Sequence, residues 1–275
     1  MIKVTIQDFT GVYAEQPFMQ ELRRSATADG EIRWFDCTQI DGSDCYCDDE
    51  AQAILGQQIE SVGNNTIGIH FFDNGNYHYM SKLWTDCVQE PFDLVVFDHH
   101  PDMQPPRFEG ILSCGGWIKE VLDHNKFVQN VTVIGVADHL VEEIREDLTQ
   151  ANAAEILNRV TFIRESELKK HPENLSSLVC SELASVLSSN IYLSIDKDAL
   201  STAEAATNWD QGSLTFNQLA DTLKSLAENR KILGIDICGE RARDMGFEDT
   251  AAADALNNAL NEKLFRMLTG LHGIQ

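Results

Sequence analysis

The chain has 275 residues, of which 21 are Lys or Arg and 44 are Asp or Glu, so its formal net charge is −23. With 43% hydrophobic and 24% charged residues, the composition excludes a wholly disordered chain. The negative charge argues against nucleic acid or an anionic membrane surface as a partner, because both attract Lys and Arg. It is compatible with metal ions or a cationic ligand.

Eight short runs of apolar, mostly β-branched residues are distributed along the chain and predict eight β-strands. Several runs are apolar at consecutive positions, which is typical of strands that are covered on both faces. The predicted strands are 3–9, 31–37, 66–72, 93–99, 131–136, 159–165, 191–196 and 231–237.

Segments with a helical spacing of apolar residues separate these strands. The clearest are 49–61, 116–124, 175–188, 216–229 and 250–268. The alternation of strand and helix predicts a three-layer α/β/α fold with a mostly parallel, roughly eight-stranded sheet. No Pro-, Gly- or Ser-rich linker interrupts the pattern, so we expect one domain over residues 1–275. The motifs GxGxxG after the first strand and GxxxxGK[ST] are both missing from the sequence, which argues against a nucleotide-phosphate site.

Targeting and redox features are few. No stretch approaches the ~20 apolar residues of a membrane helix, and the N-terminus lacks the pattern of a signal peptide. The number of cysteines is seven, which is odd, and a reduced, cytoplasmic protein is the simplest interpretation. Cys45 and Cys47 do not have zinc-ribbon spacing, and their role stays open. Small buried residues are predicted at four positions, namely Cys37, Cys87, Cys180 and Cys238.

The strand at 93–99 runs into two carboxylates and an imidazole. Asp98, His100 and Asp102 lie two residues apart, so in an extended chain all three would point to the same side. Ligands of open parallel sheets bind at the carboxyl ends of strands, where this cluster falls. A polar loop with an N-cap Asp is the competing interpretation, but such a concentration of negative charge favours a bound cation.

Two further strand ends carry possible ligands. Asp196 and Asp198 close the apolar strand at 191–196, although an exposed turn would also suit two aspartates. His78 follows the Asp73-Asn74-Gly75 turn after the third strand and would supply a second imidazole.

Together these residues form a set of two imidazoles and four carboxylates. Such hard nitrogen and oxygen ligands suit Mn²⁺, with Fe, Co or Zn as alternatives. Four carboxylates carry too much charge for one divalent ion and balance two, which could share a bridging hydroxide as a nucleophile.

The blocks that contain these residues resemble those of the arginase/agmatinase family of ureohydrolases. DHHPD at 98–102 and SIDKD at 194–198 are similar to that family's Asp-Ala-His-x-Asp and Ser-x-Asp-x-Asp blocks, and GNYHYMS at 75–81 is a degenerate form of its Gly-Gly-Asp-His-Ser block. The resemblance spans the chain, because the family also has an eight-stranded parallel sheet. It implies one metal held by His78 and Asp102, a second held by His100 and Asp198, and bridging by Asp98 and Asp196.

Other family positions differ here. The segment ILSCGGW at 111–117 lies where the family has a proton-donating His, and its one titratable side chain is Cys114, an acid or nucleophile or simply a small residue at a turn. In the last strand the family has an acid that binds the guanidinium group. Here Gly239 holds that place and Glu240 follows one residue late. The candidate catalytic residues are therefore Asp98, Cys114 and Glu240.

The resemblance implies a metal-dependent hydrolase that cleaves a carbon–nitrogen bond in a small cationic guanidino or amidino compound. It also implies a possible homo-oligomer. Two alternatives stay open: a deacetylase-like amidohydrolase of an acylated amine, and a metal-binding homologue that has lost catalysis.

Overall fold

The computed structural model describes residues 2–27, 30–63, 68–105, 110–171, 175–184, 186–228, 230–242 and 250–271. In this part of the chain, no helix is both long enough and apolar enough to cross a bilayer.

A parallel eight-stranded sheet forms the centre of the structure. Its strands are β1 (Lys3–Asp8), β2 (Ile32–Asp36), β4 (Gly68–Phe71), β5 (Phe92–Phe97), β7 (Val128–Val136), β8 (Val160–Arg164), β9 (Asn190–Asp196) and β10 (Lys231–Cys238). They lie in the order β2-β1-β4-β10-β9-β5-β7-β8. All eight predicted strands are confirmed with bounds shifted by up to three residues, and residues 66–67 of the third lie outside the described residues.

Helices cover both faces of this sheet. They are α1 (Pro17–Ser25), α2 (Asp49–Ser61), α3 (Met80–Thr85), α4 (Trp117–His124), α5 (Asp138–Gln150), α6 (Glu165–Lys170), α7 (Leu175–Leu183), α8 (Phe216–Ala227) and α9 (Thr250–Thr269). One buried apolar cluster lies between the sheet and α1, α6, α7, α8 and α9. A second cluster lies between the opposite face and α2, α3, α4 and α5. This arrangement confirms the predicted three-layer fold.

The helix predicted over 175–188 is shorter in the structure. It ends at Leu183, and the main-chain N–H of Ser188 instead donates to the buried carboxylate of Asp93. Serine and asparagine, which fill residues 188–190, favour such side-chain and turn contacts over helix. Residues 185 and 229 of the predicted helices lie outside the described residues.

A short antiparallel ribbon was not predicted. Its strands, β3 (Tyr46–Cys47) and β6 (Leu112–Ser113), bring two distant loops together above the main sheet. Two residues are too short to show periodicity, so the sequence pattern contains no signal for them.

The cysteine predictions are right at two positions and wrong at two. Cys37 and Cys238 are buried, as expected. Cys87 is exposed in the turn after α3, and Cys180 is half-buried on α7. Apolar neighbours in the sequence were therefore not enough to predict the burial of these two side chains.

Candidate metal centre

The acidic residues predicted at three strand ends converge at the carboxyl edge of the sheet. His78 Nδ1 lies 3.1 Å from Asp98 Oδ2 and 3.1 Å from Asp102 Oδ2. His78 and Asp98 are each 1% exposed, and Asp102 is 8% exposed. These three side chains form a compact group of nitrogen and oxygen donors that could hold one metal ion.

A second group of donors adjoins the first and shares one carboxylate with it. His100 Nδ1 lies 2.9 Å from Asp198 Oδ2 and 3.5 Å from Asp98 Oδ1. Asp98 therefore presents one oxygen to each imidazole. Asp196 Oδ2 lies 3.6 Å from His78 Nδ1, so all six residues singled out in the sequence come together.

The sequence pattern predicted that Asp98, His100 and Asp102 lie on one side of an extended chain, and this prediction was wrong. β5 ends at Phe97, and the following residues are not a strand in which alternate side chains share a face. Asp102 instead adopts a left-handed conformation with a φ of 45°, and His100 N donates to Asp98 Oδ1 over 2.6 Å. A turn that is closed by this hydrogen bond to the Asp98 carboxylate therefore brings the three side chains together.

Two atoms at the centre of the cluster are buried without a hydrogen-bond partner among the described residues. They are His78 Nδ1 and Asp98 Oδ2, which face each other. A buried polar atom without a partner costs about 1–3 kcal/mol, and a shared cation would satisfy both atoms at once. The donors that are present therefore fit a divalent metal ion.

The electrostatics of the cluster are those of crowded acids. Burial, followed by repulsion from neighbouring carboxylates, raises the pKa of Asp196 to about 7 and that of Asp198 to about 6. Burial lowers the pKa of His100, but its contacts with Asp198 and Asp98 outweigh burial and leave that pKa raised. Positive charge is thus favoured at this place.

Three side chains outside the predicted set orient the donors. Ser194 Oγ lies 2.8 Å from His78 Nε2, Asp210 Oδ1 lies 3.0 Å from His100 Nε2, and Trp117 Nε1 donates to Asp102 Oδ2 over 2.7 Å. Contacts of this kind would hold the two imidazole rings with Nδ1 toward a bound metal ion. Ser194 could have been found from its place two residues before Asp196 on one strand face, whereas Asp210 and Trp117 have no signal in the sequence.

Gly75 of the first block is needed for close approach. A Cβ at this position would lie 2.9 Å from Asp196 Oδ2, so a larger residue would displace that carboxylate. The glycine therefore lets the turn that contains His78 pack directly on the end of β9.

A cavity of about 340 Å³ opens above the donors. Besides the metal-site carboxylates, Glu143 and Asp147 of α5 line its wall, and Trp209 lies at its side. Among the described lining residues there is no Lys or Arg. The cavity is therefore strongly acidic and large enough for a small molecule.

Cys114 lines this cavity beside a second thiol, that of Cys45. Its N–H donates to the main-chain oxygen of Cys45 over 2.9 Å, and Cys45 lines the same wall. The side-chain contact with Cys45, followed by burial, raises the pKa of Cys114, so this side chain is a protonated thiol at neutral pH.

Glu240 lies apart from the cavity. Its carboxylate is fully buried and ion-paired with the equally buried Lys197, and it accepts from Gln16 Nε2 over 2.8 Å and from Asn261 Nδ2 over 2.7 Å. Gly239 has a φ of 93°, and a Cβ there would lie 2.6 Å from Lys197 N. The chain therefore packs closely on Lys197 at Gly239, and Glu240, whose N–H donates to Asp73 O over 3.0 Å, directs its carboxylate to the Lys197 side chain.

Cys238, the last residue of β10, was missed as a site residue. Its Sγ lies 3.1 Å from Asp196 Oδ2, and His78, Asp196 and Cys238 form a third compact group of donors. The available signal was its position as the last residue of a central strand, at the edge where the other ligands collect.

Comparisons with known proteins agree with this geometry. The sequence matches the model of the Arginase family over residues 63–254. An uncharacterized protein of Thermotoga maritima is 28% identical over 241 residues, which cover 86% of this chain and 79% of that protein.

Solved structures share the architecture at low identity. The agmatine ureohydrolase of Thermoplasma volcanium has a TM-score of 0.63 and 15% identity, with 96% of this chain and 92% of that chain covered. A formiminoglutamase of Trypanosoma cruzi, solved with Mn²⁺, has a TM-score of 0.61 and 13% identity, with 94% and 92% covered. At such identities the likeness shows a common fold.

Proposed function

This chain belongs to the arginase family, and we propose that it is a metal-dependent hydrolase that cleaves a carbon–nitrogen bond in a small guanidino or amidino compound. The observation that carries the proposal is the pair of donor groups that share Asp98 beneath an acidic cavity. No ordinary requirement of sheet stability would bury this many carboxylates against two imidazoles.

The proposed centre holds two divalent ions, most simply Mn²⁺, with Fe, Co or Zn as alternatives. His78 and Asp102 would hold one ion and His100 and Asp198 the other, while Asp98 and Asp196 would contact both. When bound, such ions would polarise the substrate and lower the pKa of water, and so would supply hydroxide as a nucleophile near neutral pH.

The walls of the cavity suit a cationic substrate. An amidinium group is planar and positively charged, and the six carboxylates that line the cavity would attract it without competition from Lys or Arg among the described residues. Glu143 and Asp147 lie on exposed positions of α5, where they could receive the distal part of the substrate.

Proton transfer to the departing amine needs a donor at the cavity wall. Cys114 lies there, so it is our candidate for that role. Glu240 was also predicted to act on the substrate, and for that it would have to leave its ion pair with Lys197. Both roles stay predictions.

The first test is metal content and substrate turnover. We expect protein from Mn²⁺-supplemented medium to contain about two ions per chain and to release urea from a guanidino compound or formamide from a formimino compound in a substrate panel. Asp98→Asn, which removes a charge from both donor groups, should lose metal and turnover together. Asp123→Asn, which changes an exposed carboxylate outside the site, should retain both.

Each other outcome identifies a different function. Acetate released from acetylated amines, without release of urea or formamide, would indicate the deacetylase-like alternative. Full metal loading without turnover across both panels would indicate a metal-binding homologue. Protein that stays metal-free, with a melting temperature unaffected by Mn²⁺, would refute the proposal, because a ligand of the native state must stabilise it.

A further inference from the structure

The end of β10 contributes a sulfur atom to the edge of the proposed metal centre. Cys238 is the last residue of β10, and in the parallel pairing of β10 with β9 it lies directly beside Asp196. It is 1% exposed. At the neighbouring Gly239 the backbone lies so close to Asp196 and Lys197 that a Cβ would clash with both, so this end of β10 packs tightly against the end of β9.

The distances in this corner are those of ligands around one ion. Cys238 Sγ lies 3.1 Å from Asp196 Oδ2, which lies 3.6 Å from His78 Nδ1, and the three donor atoms are all within 4.8 Å of one another. Bonds of about 2.0–2.3 Å place neighbouring ligands of one ion roughly 2.8–3.8 Å apart in octahedral or tetrahedral coordination. The three side chains could therefore reach one ion with small adjustments.

His78 Nδ1, which lies between the carboxylates of the first donor group, also borders this corner. His78 Nδ1 is buried and has no hydrogen-bond partner among the described residues, although carboxylate oxygens and the thiol surround it. A thiol that merely donated to Asp196 would leave this nitrogen unsatisfied. An ion placed between His78, Asp196 and Cys238 would satisfy it.

We propose that Cys238 is a ligand of the ion held by His78, so that this half of the centre contains a thiolate. The inference rests on the proposed metal-dependent function and changes the expected metal. On binding, the Sγ–H proton is released to solvent and a sulfur–metal bond forms. Sulfur ligands favour Zn²⁺ and Co²⁺ over the harder Mn²⁺, so this centre would be more selective against Mn²⁺ than one with only nitrogen and oxygen ligands.

The test is spectroscopic and uses the full chain. Metal-free protein is titrated with Co²⁺, and we expect a near-ultraviolet sulfur-to-cobalt charge-transfer band. Cys238→Ser should lose this band, while its visible absorption bands should show that it still binds Co²⁺. Its ratio of Zn²⁺ to Mn²⁺ affinity should fall on the order of tenfold or more. Two controls should keep the band: Cys37→Ser, at a buried thiol outside the site, and Cys114→Ser, at a thiol on the cavity wall.

X-ray absorption of the Zn²⁺-loaded wild-type protein covers the case in which Cys238→Ser does not fold. A sulfur shell at about 2.3 Å is expected. Zinc bound with nitrogen and oxygen alone would overturn the thiolate proposal and leave the proposed function standing. Loss of the charge-transfer band in Cys114→Ser instead of Cys238→Ser would also overturn it. A protein that binds Mn²⁺ but neither Co²⁺ nor Zn²⁺ would overturn the thiolate proposal alone, whereas a protein that binds none of the three ions would overturn both proposals.

Discussion

Replacing Lys197 with Met should strongly destabilise the protein, because it leaves a carboxylate buried without its counter-ion. Lys197 and Glu240 are both fully buried, and removing one member of such a pair costs about 3–5 kcal/mol. The amide donors of Gln16 and Asn261 remain on Glu240, so we expect the lower half of that range. Total stability is typically about 5–15 kcal/mol, which makes the loss easy to detect.

Urea unfolding in chelator measures this loss without a contribution from metal binding at the adjacent Asp196 and Asp198. Glu240→Gln alone should also destabilise the protein. The double variant Lys197→Met/Glu240→Gln leaves no charge buried at this pair, so it should be more stable than Lys197→Met. Lys231→Met is the matched control, since it removes an exposed lysine paired with Glu90 and should cost less than about 1 kcal/mol. Additive single losses, or a loss below about 1 kcal/mol for Lys197→Met, would refute the reasoning.

Three further results are expected. Ser194→Ala removes the hydroxyl beside the buried His78 Nε2, so it should weaken metal binding by about 10- to 100-fold and cost about 1–3 kcal/mol of stability; unchanged affinity in a metal-competition titration would count against an orienting role. Metal-free protein should become less stable between pH 5 and pH 8, because the folded state holds protons on Asp196 and Asp198 that the unfolded chain releases near pH 4; a melting temperature that rises across this range would contradict those shifts. The stabilisation by added metal should increase from pH 5 to pH 8, since ions bind the ionised carboxylates. Calorimetry at pH 5 and pH 8, which compares melting temperatures with and without metal, checks this.

The sequence predicts the fold well because buried parallel strands have an unmistakable composition. β5 and β9 are almost continuous runs of apolar residues, and the structure buries every residue of β5. Such runs also show where each strand ends, which is why the ligands after β5 and β9 could be located before the structure was known. The two-residue strands β3 and β6 form through tertiary pairing and have no periodicity of their own.

The site was only partly predictable, because proximity in space does not follow from spacing in the chain. Asp98, His100 and Asp102 were grouped on the assumption of an extended chain, yet a turn with a left-handed Asp102 brings them together. Cys238 looked like a small buried residue, and its register beside Asp196 becomes visible only once β10 and β9 pair.

Glu240 shows a different limit of sequence reasoning. The sequence locates an acid near the end of the last strand but contains no information on which partner it meets. The structure gives it Lys197, which lies between two predicted metal ligands and was not singled out.

The strand order has a consequence for how the molecule is made. The chain builds both flanks of its sheet first, and the two strands that fill the middle, β9 and β10, come last in the sequence. Until they insert, β4 and β5 each expose an edge that could pair with another chain. A nascent protein of this kind completes its centre only after nearly all of it has been synthesised. Ions that bind at that stage would stabilise the inserted strands, so the edges of β4 and β5 would no longer be available for aggregation.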